Sequence, residues 1–264
     1  MNANSKNKNS QLQGKVAVVT GGSSGIGRAV CLGLAEAGAA VVVVGRNKRR
    51  VQAMVTEIKN ANSVSSFSRM AIGLQLDVRR EADMEEMAER TLTRFGCIDI
   101  LVASAGILRA VHFRPTMLVE TSVEEWDQIL DTNLKGIFLS NRAVIKAMMA
   151  QHAGHIINVS SLSGRQALPF DSPYCASKFG VIGLSEALAE ELKSHGVRVQ
   201  VVLPGNIDTP IWSQNKVVPR AAQILPVERV ADLILNLIAW PQDATLREIV
   251  IAPKQSFAKP EWRK

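Results

Sequence analysis

The 264-residue sequence is poor in several features that would place it in a specialised class. It has one tyrosine and three cysteines, and only 5% of its residues are aromatic. The cysteines form neither a CxxC pair nor a metal-ligand spacing, so we predict free thiols, no disulfide framework and no metal site. No apolar run approaches the 18 or so residues that cross a bilayer, and the opening MNANSKNKNSQLQ has no apolar signal core. We therefore expect a soluble, cytoplasmic protein without a membrane partner.

The charge balance is basic but not concentrated. Thirty-one Lys and Arg face 24 Asp and Glu, giving a formal charge of +7 and a pI near 9.5. The densest basic run is Arg46, Lys48, Arg49 and Arg50, directly after an apolar stretch. Nucleic-acid-binding domains gather their charge on one face or tail and carry a binding motif. None accompanies the charge here, so we predict no nucleic-acid partner.

Seven short apolar runs alternate with helical patterns along the chain. The runs are continuous rather than alternating, as in KVAVVTGG and AAVVVVGR, which favours parallel strands covered on both faces. Length alone allows one large domain or two small ones, but no linker-like segment interrupts the alternation. We predict an α/β fold with one doubly wound, seven-stranded parallel sheet and helices on both faces. It would span residues 13–253, between tails at 1–12 and 254–264.

A glycine-rich turn, TGGSSGIG, connects the first strand to the first helix. Gly21 permits a tight turn, while Gly25 and Gly27 let the backbone approach a phosphate and pack helix on strand. The helix N-terminus would bind the pyrophosphate of a dinucleotide. At the end of the second strand, where an acid would bind an NAD ribose, the chain has Gly45 and then Arg46. A guanidinium suits a 2′-phosphate, which favours NADP(H) over NAD(H).

The single tyrosine, Tyr174, lies four residues before Lys178 in SPYCASKFG. On a helix these positions share a face, so phenol and ammonium could meet. By itself the pair is weak, because Tyr174 could be a packing residue and Lys178 a solvated one. Its value depends on the motifs around it.

Taken together, TGGSSGIG and YCASK resemble the short-chain dehydrogenase/reductase family, in particular its carbonyl and 3-oxoacyl reductases. The resemblance runs from about Gly14 to Pro253 and implies a single-domain Rossmann fold. It implies a catalytic set of Asn133, Ser161, Tyr174 and Lys178. Ser161 has the family's spacing of thirteen residues to the tyrosine, although Ser160 and Ser163 compete with it. Asn133 could instead be a turn or capping residue.

The glycine turn and the resemblance together give a set of candidate cofactor-binding residues. Where the family usually has NNAG after the fourth strand, this chain reads ASAG, and we expect Ser104 to leave that strand's end less firmly tied. The candidate residues are Gly21, Ser23, Ser24, Gly25, Ile26, Gly27, Arg46, Asp77, Val78, Ala105, Gly106, Tyr174, Lys178, Pro204, Gly205, Ile207 and Thr209.

These residues suggest a mechanism for hydride transfer between a carbonyl and an alcohol. One group must exchange a proton at the substrate oxygen. Tyr174 would do so, with a nearby cation lowering its pKa from about 10. Lys178 would supply that charge and, as in similar enzymes, hold the nicotinamide ribose. Ser161 would stabilise charge on the substrate oxygen, and Asn133 would position a water in a proton relay.

The resulting prediction is an NADP(H)-dependent reductase of a ketone or aldehyde. The alternatives are an alcohol or hydroxysteroid-type dehydrogenase working oxidatively, and a dinucleotide-binding sensor or scaffold without turnover. Substrate would meet residues 107–117, 162–173 and 210–224, at the carboxyl ends of the strands. Their cations, among them Arg109, His112, Arg114 and Arg165, suit an anionic or acyl-linked substrate, or are solvated loop charges. Similar proteins are dimers or tetramers, and the sequence does not choose between these.

Overall fold

The computed structural model describes residues 12–60, 70–109, 115–214, 223–241, 244 and 246–254. Both predicted tails lie almost wholly outside these ranges. Leu12, placed in the N-terminal tail by the sequence, is buried, and its amide donates to the carbonyl of Ala37. The ordered domain therefore includes at least this residue.

The seven parallel strands that the sequence predicted form one sheet, in the order β3-β2-β1-β4-β5-β6-β7. The chain order reverses between β1 and β4, the kind of switch point at which open α/β sheets bind ligands. The strands are β1 Val16–Thr20, β2 Ala40–Gly45, β3 Ile72–Gln75, β4 Ile100–Ala103, β5 Gly154–Val159, β6 Val197–Pro204 and β7 Glu248–Ile251. The helices are α1 Gly25–Glu36, α2 Lys48–Asn60, α3 Glu81–Phe95, α4 Val123–Leu130, α5 Gly136–Gln151, α6 Ser172–Leu192 and α7 Val227–Ile238.

The central strands bury both of their faces, which explains their continuous apolar sequences. On β2, Val41 and Val43 belong to the core beneath α1, α2 and α7, while Val42 and Val44 belong to the core beneath α3, α5 and α6. Because successive side chains alternate between faces, a strand covered on both sides favours apolar residues at every position. Polar exceptions such as His155 and Gln200 are buried and hydrogen-bonded to each other. Among the described residues, no helix is both long and apolar enough to span a bilayer.

The sequence pattern from about residue 122 to residue 150 predicts a long helical region, and the structure confirms it with one change of winding. The structure divides it into α4 and α5, joined by a π-helical turn at Asp131–Lys135. The side chain of Asn133 is buried within this turn and binds the backbone of Ile107. Such π turns often occur at functional sites, and apolar periodicity does not reveal them.

Candidate active site

The glycine turn brings three segments into contact at the carboxyl end of the sheet. Gly21 has φ +69°, and a Cβ there would lie 2.8 Å from Cα of Ala105. A Cβ on Gly27 would lie 2.5 Å from the carbonyl oxygen of Gly21 and 2.6 Å from Oγ of Ser104. A side chain at either position would therefore separate the turn from the end of β4. The helix that follows starts at Gly25, and the Ser24 hydroxyl makes no capping hydrogen bond to it.

Ser104 ties the ends of β4 and β1 together. Its hydroxyl donates to the carbonyl of Thr20 at 2.6 Å, and its amide donates to the same oxygen at 3.2 Å. The prediction of a loosely tied strand end is therefore wrong. A serine hydroxyl does here, over a short distance, what a longer amide side chain would do from further away.

The adenosine end of the candidate cofactor site contains two arginines and one carboxylate. Arg46 is exposed at the end of β2, beside Gly45, where a Cβ would lie 3.0 Å from Oγ of Ser23. Burial raises the pKa of Asp77, but hydrogen bonds and charge from Arg79, with a contribution from Arg46, hold it below its ordinary value. The guanidinium of Arg79 binds both Asp77 oxygens. Neighbouring Val78 is buried.

Asn133 fixes the loop after β4. Its Oδ1 accepts from the amide of Ile107 at 2.8 Å, and its Nδ2 donates to the carbonyl of Ile107 at 2.8 Å and to Oγ of Ser177 at 3.1 Å. Both amide hydrogens are thus used, so a relay water would bind to an oxygen here rather than to the NH₂ group. The sequence did not single out Ser177, one position before Lys178.

Gly106 brings this loop up to the lysine. A Cβ on Gly106 would lie 3.3 Å from Oδ1 of Asn133 and 3.6 Å from Nζ of Lys178. The asparagine and the lysine therefore converge beside Gly106. Any side chain at Gly106 would occupy the space between them.

The structure separates the three candidate serines after β5. The Ser160 hydroxyl donates to the carbonyl of Lys178 at 2.8 Å, which packs the strand against α6. Ser161 caps the short helical turn Leu162–Gly164, accepting from the amide of Ser163 at 3.1 Å. The Ser161 hydroxyl donates to the carbonyl of Pro204 at 3.4 Å, and its interaction with the phenol of Tyr174 lowers the phenol's pKa. Of the three, Ser161 is therefore the one with a polar contact to the tyrosine.

Tyr174 and Lys178 lie together on α6. The lysine Nζ is 5.7 Å from the centre of the phenol ring and donates to the carbonyl of Val159 at 3.1 Å. Burial lowers the pKa of Lys178 to about 8. Burial raises the pKa of Tyr174 to about 12, outweighing the Ser161 hydrogen bond, while the charge of Asp171 also raises it. The prediction that Lys178 lowers the pKa of the phenol is therefore wrong: the lysine lies near the ring, but burial raises that pKa.

Residues after β6 close the other side of the glycine turn. A Cβ on Gly25 would lie 3.4 Å from Cβ of Thr209. Ile207 is buried, and its carbonyl accepts from the indole of Trp212 at 2.7 Å. Pro204 ends β6, and the amide of Gly205 donates to the carbonyl of Ile251 at 2.8 Å. The candidate residues from the ends of β1, β4, β5 and β6 therefore lie along one edge.

The predicted substrate segments are only partly described. Residues 110–114, with His112 and Arg114, and residues 215–222 lie outside the described ranges. Arg109 is not a solvated loop charge but a buried one, paired with Asp171. Arg165 binds Glu186 and Glu248 on the surface. Among the described residues, no group of three His, Cys, Asp or Glu side chains is placed to hold a metal ion.

Comparison with known proteins agrees with this arrangement. The sequence profile of the family described as short chain dehydrogenase matches residues 15–217. The chain belongs to this family. Family membership makes the protein an NAD(P)-dependent oxidoreductase. The segments that carry the glycine turn, Asn133, Ser161, Tyr174 and Lys178 all lie within the matched range.

Several relatives are similar over most of the chain. An uncharacterized oxidoreductase of Staphylococcus saprophyticus is 34% identical over 249 residues, covering 92% of this chain and 99% of the relative. A 3-oxoacyl-[acyl-carrier-protein] reductase of Synechocystis sp. is 38% identical over 219 residues, covering 83% of this short-chain dehydrogenase and 84% of the relative.

Solved structures with the same fold include two reductases. Levodione reductase superposes with a TM-score of 0.83 at 26% identity, covering 94% of this chain and 100% of that one. A 3-ketoacyl-(acyl-carrier-protein) reductase from Brucella melitensis, complexed with NADH, gives a TM-score of 0.81 at 28% identity, with coverage of 93% and 99%.

Proposed function

We propose that this short-chain dehydrogenase reduces a ketone or aldehyde to an alcohol, with NADPH as the hydride donor and Tyr174 as the proton donor. The observation that carries the proposal is the meeting of Tyr174, Ser161 and Lys178 at the carboxyl end of the sheet, next to the glycine turn. A protein that only sensed a dinucleotide would need the turn but not this group.

The protonation of Tyr174 favours reduction over oxidation. With its pKa raised to about 12, the phenol carries its proton at neutral pH. Reduction of a carbonyl needs a proton donor at the oxygen, whereas oxidation of an alcohol needs the phenolate. Ser161, whose interaction with the phenol lowers the phenol's pKa, would donate to the same substrate oxygen as negative charge develops there.

Lys178 is suited to holding a cofactor. Its ammonium has three hydrogens, of which one donates to Val159. The remaining hydrogens can bind ribose hydroxyls beside Gly106, and the positive charge favours the phenolate left after proton transfer. When bound, the nicotinamide ring supplies the hydride. The glycine turn, which a Cβ at Gly21 or Gly27 would fill, fits the pyrophosphate.

The preference for NADPH rests on Arg46. Its guanidinium is exposed at the end of β2, at the position where an NAD-binding site carries an acid. Asp77, whose pKa Arg46 helps to lower, is already bound by Arg79, so it does not neutralise Arg46 directly. The rival cofactor is NADH, which the Brucella reductase binds. Dissociation constants for NADPH and NADH decide between them, and tighter NADH binding would overturn the preference.

A 3-oxoacyl thioester is the first substrate class to test. Two similar proteins are named as reductases of carrier-linked 3-oxoacyl groups. Arg109 is committed to Asp171, so a cation that binds an anionic substrate would have to come from another residue. With or without such a cation, we expect the substrate to be a small molecule.

The decisive experiment follows NADPH absorbance over a panel of carbonyl compounds that includes 3-oxoacyl thioesters, with Tyr174→Phe as the matched variant. We expect substrate-dependent oxidation by the wild type and a loss of about a thousandfold in the variant. Tight NADPH binding without oxidation across the panel would support a sensor instead. Faster turnover with alcohols and NADP⁺ would support an oxidative dehydrogenase.

Assembly and location are part of the proposal. Phe138 on α5 and Phe179 on α6 are each 41% exposed, which suits burial between subunits of a homodimer or homotetramer. The three cysteines are unpaired, which suits a reducing cytoplasm. Sedimentation measurements would test the assembly, and a monomer at micromolar concentration would contradict it.

A further inference from the structure

A buried ion pair lies at the start of the helix that carries Tyr174. Arg109, in the loop after β4, binds through Nη2 to Oδ1 of Asp171, the residue that precedes α6. Their side chains are 3% and 14% exposed, so water does little to screen the pair. Asp171 makes no side-chain capping bond to α6. The carboxylate therefore has the arginine as its partner rather than the helix backbone.

The loop that carries Arg109 is fixed on several sides. The amides of Leu108 and Arg109 donate to Oε1 of Gln214 at 2.9 and 3.2 Å. Asn133 holds both backbone groups of Ile107. The guanidinium is thus held in a defined position against α6, and the ion pair connects the ends of β4 and β6 to the tyrosine's helix.

The pair does not satisfy the arginine completely. Within the described ranges, Nη1 of Arg109 is buried without a hydrogen-bond partner. Burying a guanidinium with an unused donor costs stability, and apolar residues of similar size often stabilise such a site better. Stability alone therefore gives no good account of an arginine at this position.

The charges around the pair explain the arginine better. Asp171 lies three residues before Tyr174, and its negative charge raises the pKa of the phenol. Glu125, a second buried carboxylate on α4, interacts with both members of the pair. Burial raises the pKa of Asp171 and of Glu125, and the charge of Arg109 opposes the rise in each. Arg109 is thus a cation that balances two carboxylates, and one of them, Asp171, raises the pKa of the tyrosine.

We propose that Arg109 is a positioning residue for Tyr174: it neutralises the carboxylate at the start of the tyrosine's helix and fastens the loop after β4 to that helix. The functional part of this inference rests on the proposed role of Tyr174 as proton donor. Arg109 itself need not touch the substrate or the cofactor.

The other groups near the phenol stay unchanged in the test. They are Lys178 and Cys175 on α6, and Ser161 from the end of β5. Glu125 acts from α4 through the ion pair. Variants at positions 109 and 171 therefore change one charge pair against a constant background.

The single tyrosine of this chain permits a direct measurement. The near-ultraviolet absorbance of tyrosinate is titrated in the complex with NADP⁺, where it reports the ionisation of Tyr174 without requiring turnover. Four variants form the set: Arg109→Met, Arg109→Lys, Asp171→Asn and the double variant Arg109→Met/Asp171→Asn. Circular dichroism confirms that each is folded before it is titrated.

We expect the tyrosinate pKa of Arg109→Met to rise by about one unit and that of Asp171→Asn to fall by about one unit. Arg109→Lys and the double variant should titrate within about half a unit of the wild type. The acid limb of the pH profile for alcohol oxidation should move in parallel.

Equal shifts in Arg109→Met and the double variant would overturn the proposal, because the effect would then not pass through Asp171. If Arg109→Met does not fold, Asp171→Asn becomes the deciding variant. A tyrosinate titration of Asp171→Asn that coincides with that of the wild type would then overturn the proposal. The absorbance titration is independent of activity. It therefore separates failure of this charge coupling from failure of Tyr174 as the proton donor, which Tyr174→Phe tests.

Discussion

The two ends of the sheet use polar residues in opposite ways. At the amino end, Asp99 binds Lys15 and the amide of Val16, both at 2.9 Å. Nearby, Nε2 of His155 lies 2.6 Å from Oε1 of Gln200, and Arg198 donates to Nδ1 at 3.3 Å. These groups are paired with one another.

At the carboxyl end the polar groups keep unused capacity. Lys178 donates one of its three hydrogens to the protein, the Ser24 hydroxyl is not used as a helix cap, and Arg46 is exposed. Fully paired polar groups contribute to stability, whereas groups with spare donors can bind a ligand. Burial and charge therefore do not distinguish the two ends, whereas the spare donors beside the glycine turn do.

The largest expected effect comes from removing the buried ammonium at the carboxyl end. Lys178→Met should lower turnover about a thousandfold, because the proton transfer loses its neighbouring charge and the cofactor loses a donor. Its melting temperature should fall little, since an apolar chain of similar length replaces a buried charge. Steady-state kinetics and thermal unfolding measure both. Lys146→Met, at an exposed position on α5, is the control, and equal losses of turnover in the two variants would contradict the account.

A smaller effect is expected at the cofactor phosphate. Arg46→Gln should weaken NADPH binding roughly 10- to 100-fold, the cost of one charge-assisted hydrogen bond, and leave NADH binding nearly unchanged. Fluorescence titration measures both dissociation constants. Arg50→Gln removes an equally exposed charge from α2 and serves as the control. If both variants weakened NADPH binding equally, the effect would come from the overall positive charge of the surface and not from Arg46 in particular.

The amino end should respond to pH rather than to substrate. Burial and the repulsion of Arg198 lower the pKa of His155 to about 4, and the hydrogen bond to Gln200 only partly opposes them. In the unfolded chain, His155 has an ordinary pKa near 6.5. Between pH 6.5 and pH 4 it therefore binds a proton that it does not bind in the folded chain. The free energy of unfolding should fall as the pH drops from 6.5 to 4, by about 3 kcal/mol from this residue.

A matched variant isolates that contribution. In His155→Gln the decline with pH should be shallower by about the same amount, because the contribution of all other groups is common to both proteins. Denaturant unfolding at several pH values measures it. Identical slopes for the two proteins would show that the histidine is not kept neutral in the folded state.

The smallest effect is expected where the two strands meet at the site. Ser104→Ala should lower the free energy of unfolding by about 1 kcal/mol, because the Thr20 carbonyl keeps only one of its two donors. Ser213→Ala, which removes a hydroxyl bonded to Pro210 in an exposed turn, should cost less than half as much. If Ser104→Ala is no less stable than the control, Ser104 does not hold the end of β4.

Much of the fold was predictable because its signals are local. Continuous runs such as AVVVVG mark doubly covered strands, and the βα alternation predicts one parallel sheet. The interruption at Asp131–Lys135 was not predictable. It depends on Asn133 reaching the backbone of Ile107, which is 26 residues away in sequence.

The candidate site likewise has features that the sequence predicts and features that it does not. Ser161, Tyr174 and Lys178 were predictable because their spacing carries the family motif. The hydrogen bonds and ion pairs of the neighbouring side chains were not predictable, because they form between loops that only the fold brings together. Arg109 looked like a solvated or substrate-binding cation until Asp171 and Gln214 were seen beside it. Residue type predicts what a side chain can do, but its partners decide what it is free to do.

The central claim is that the phenol at the carboxyl end of the sheet donates the proton. It is tested most directly by one experiment on Tyr174→Phe, in which NADPH affinity and single-turnover reduction of a carbonyl substrate are measured on the same sample. We expect an affinity within about twofold of the wild type and a rate roughly a thousandfold lower. An unchanged rate with intact cofactor binding would contradict the account.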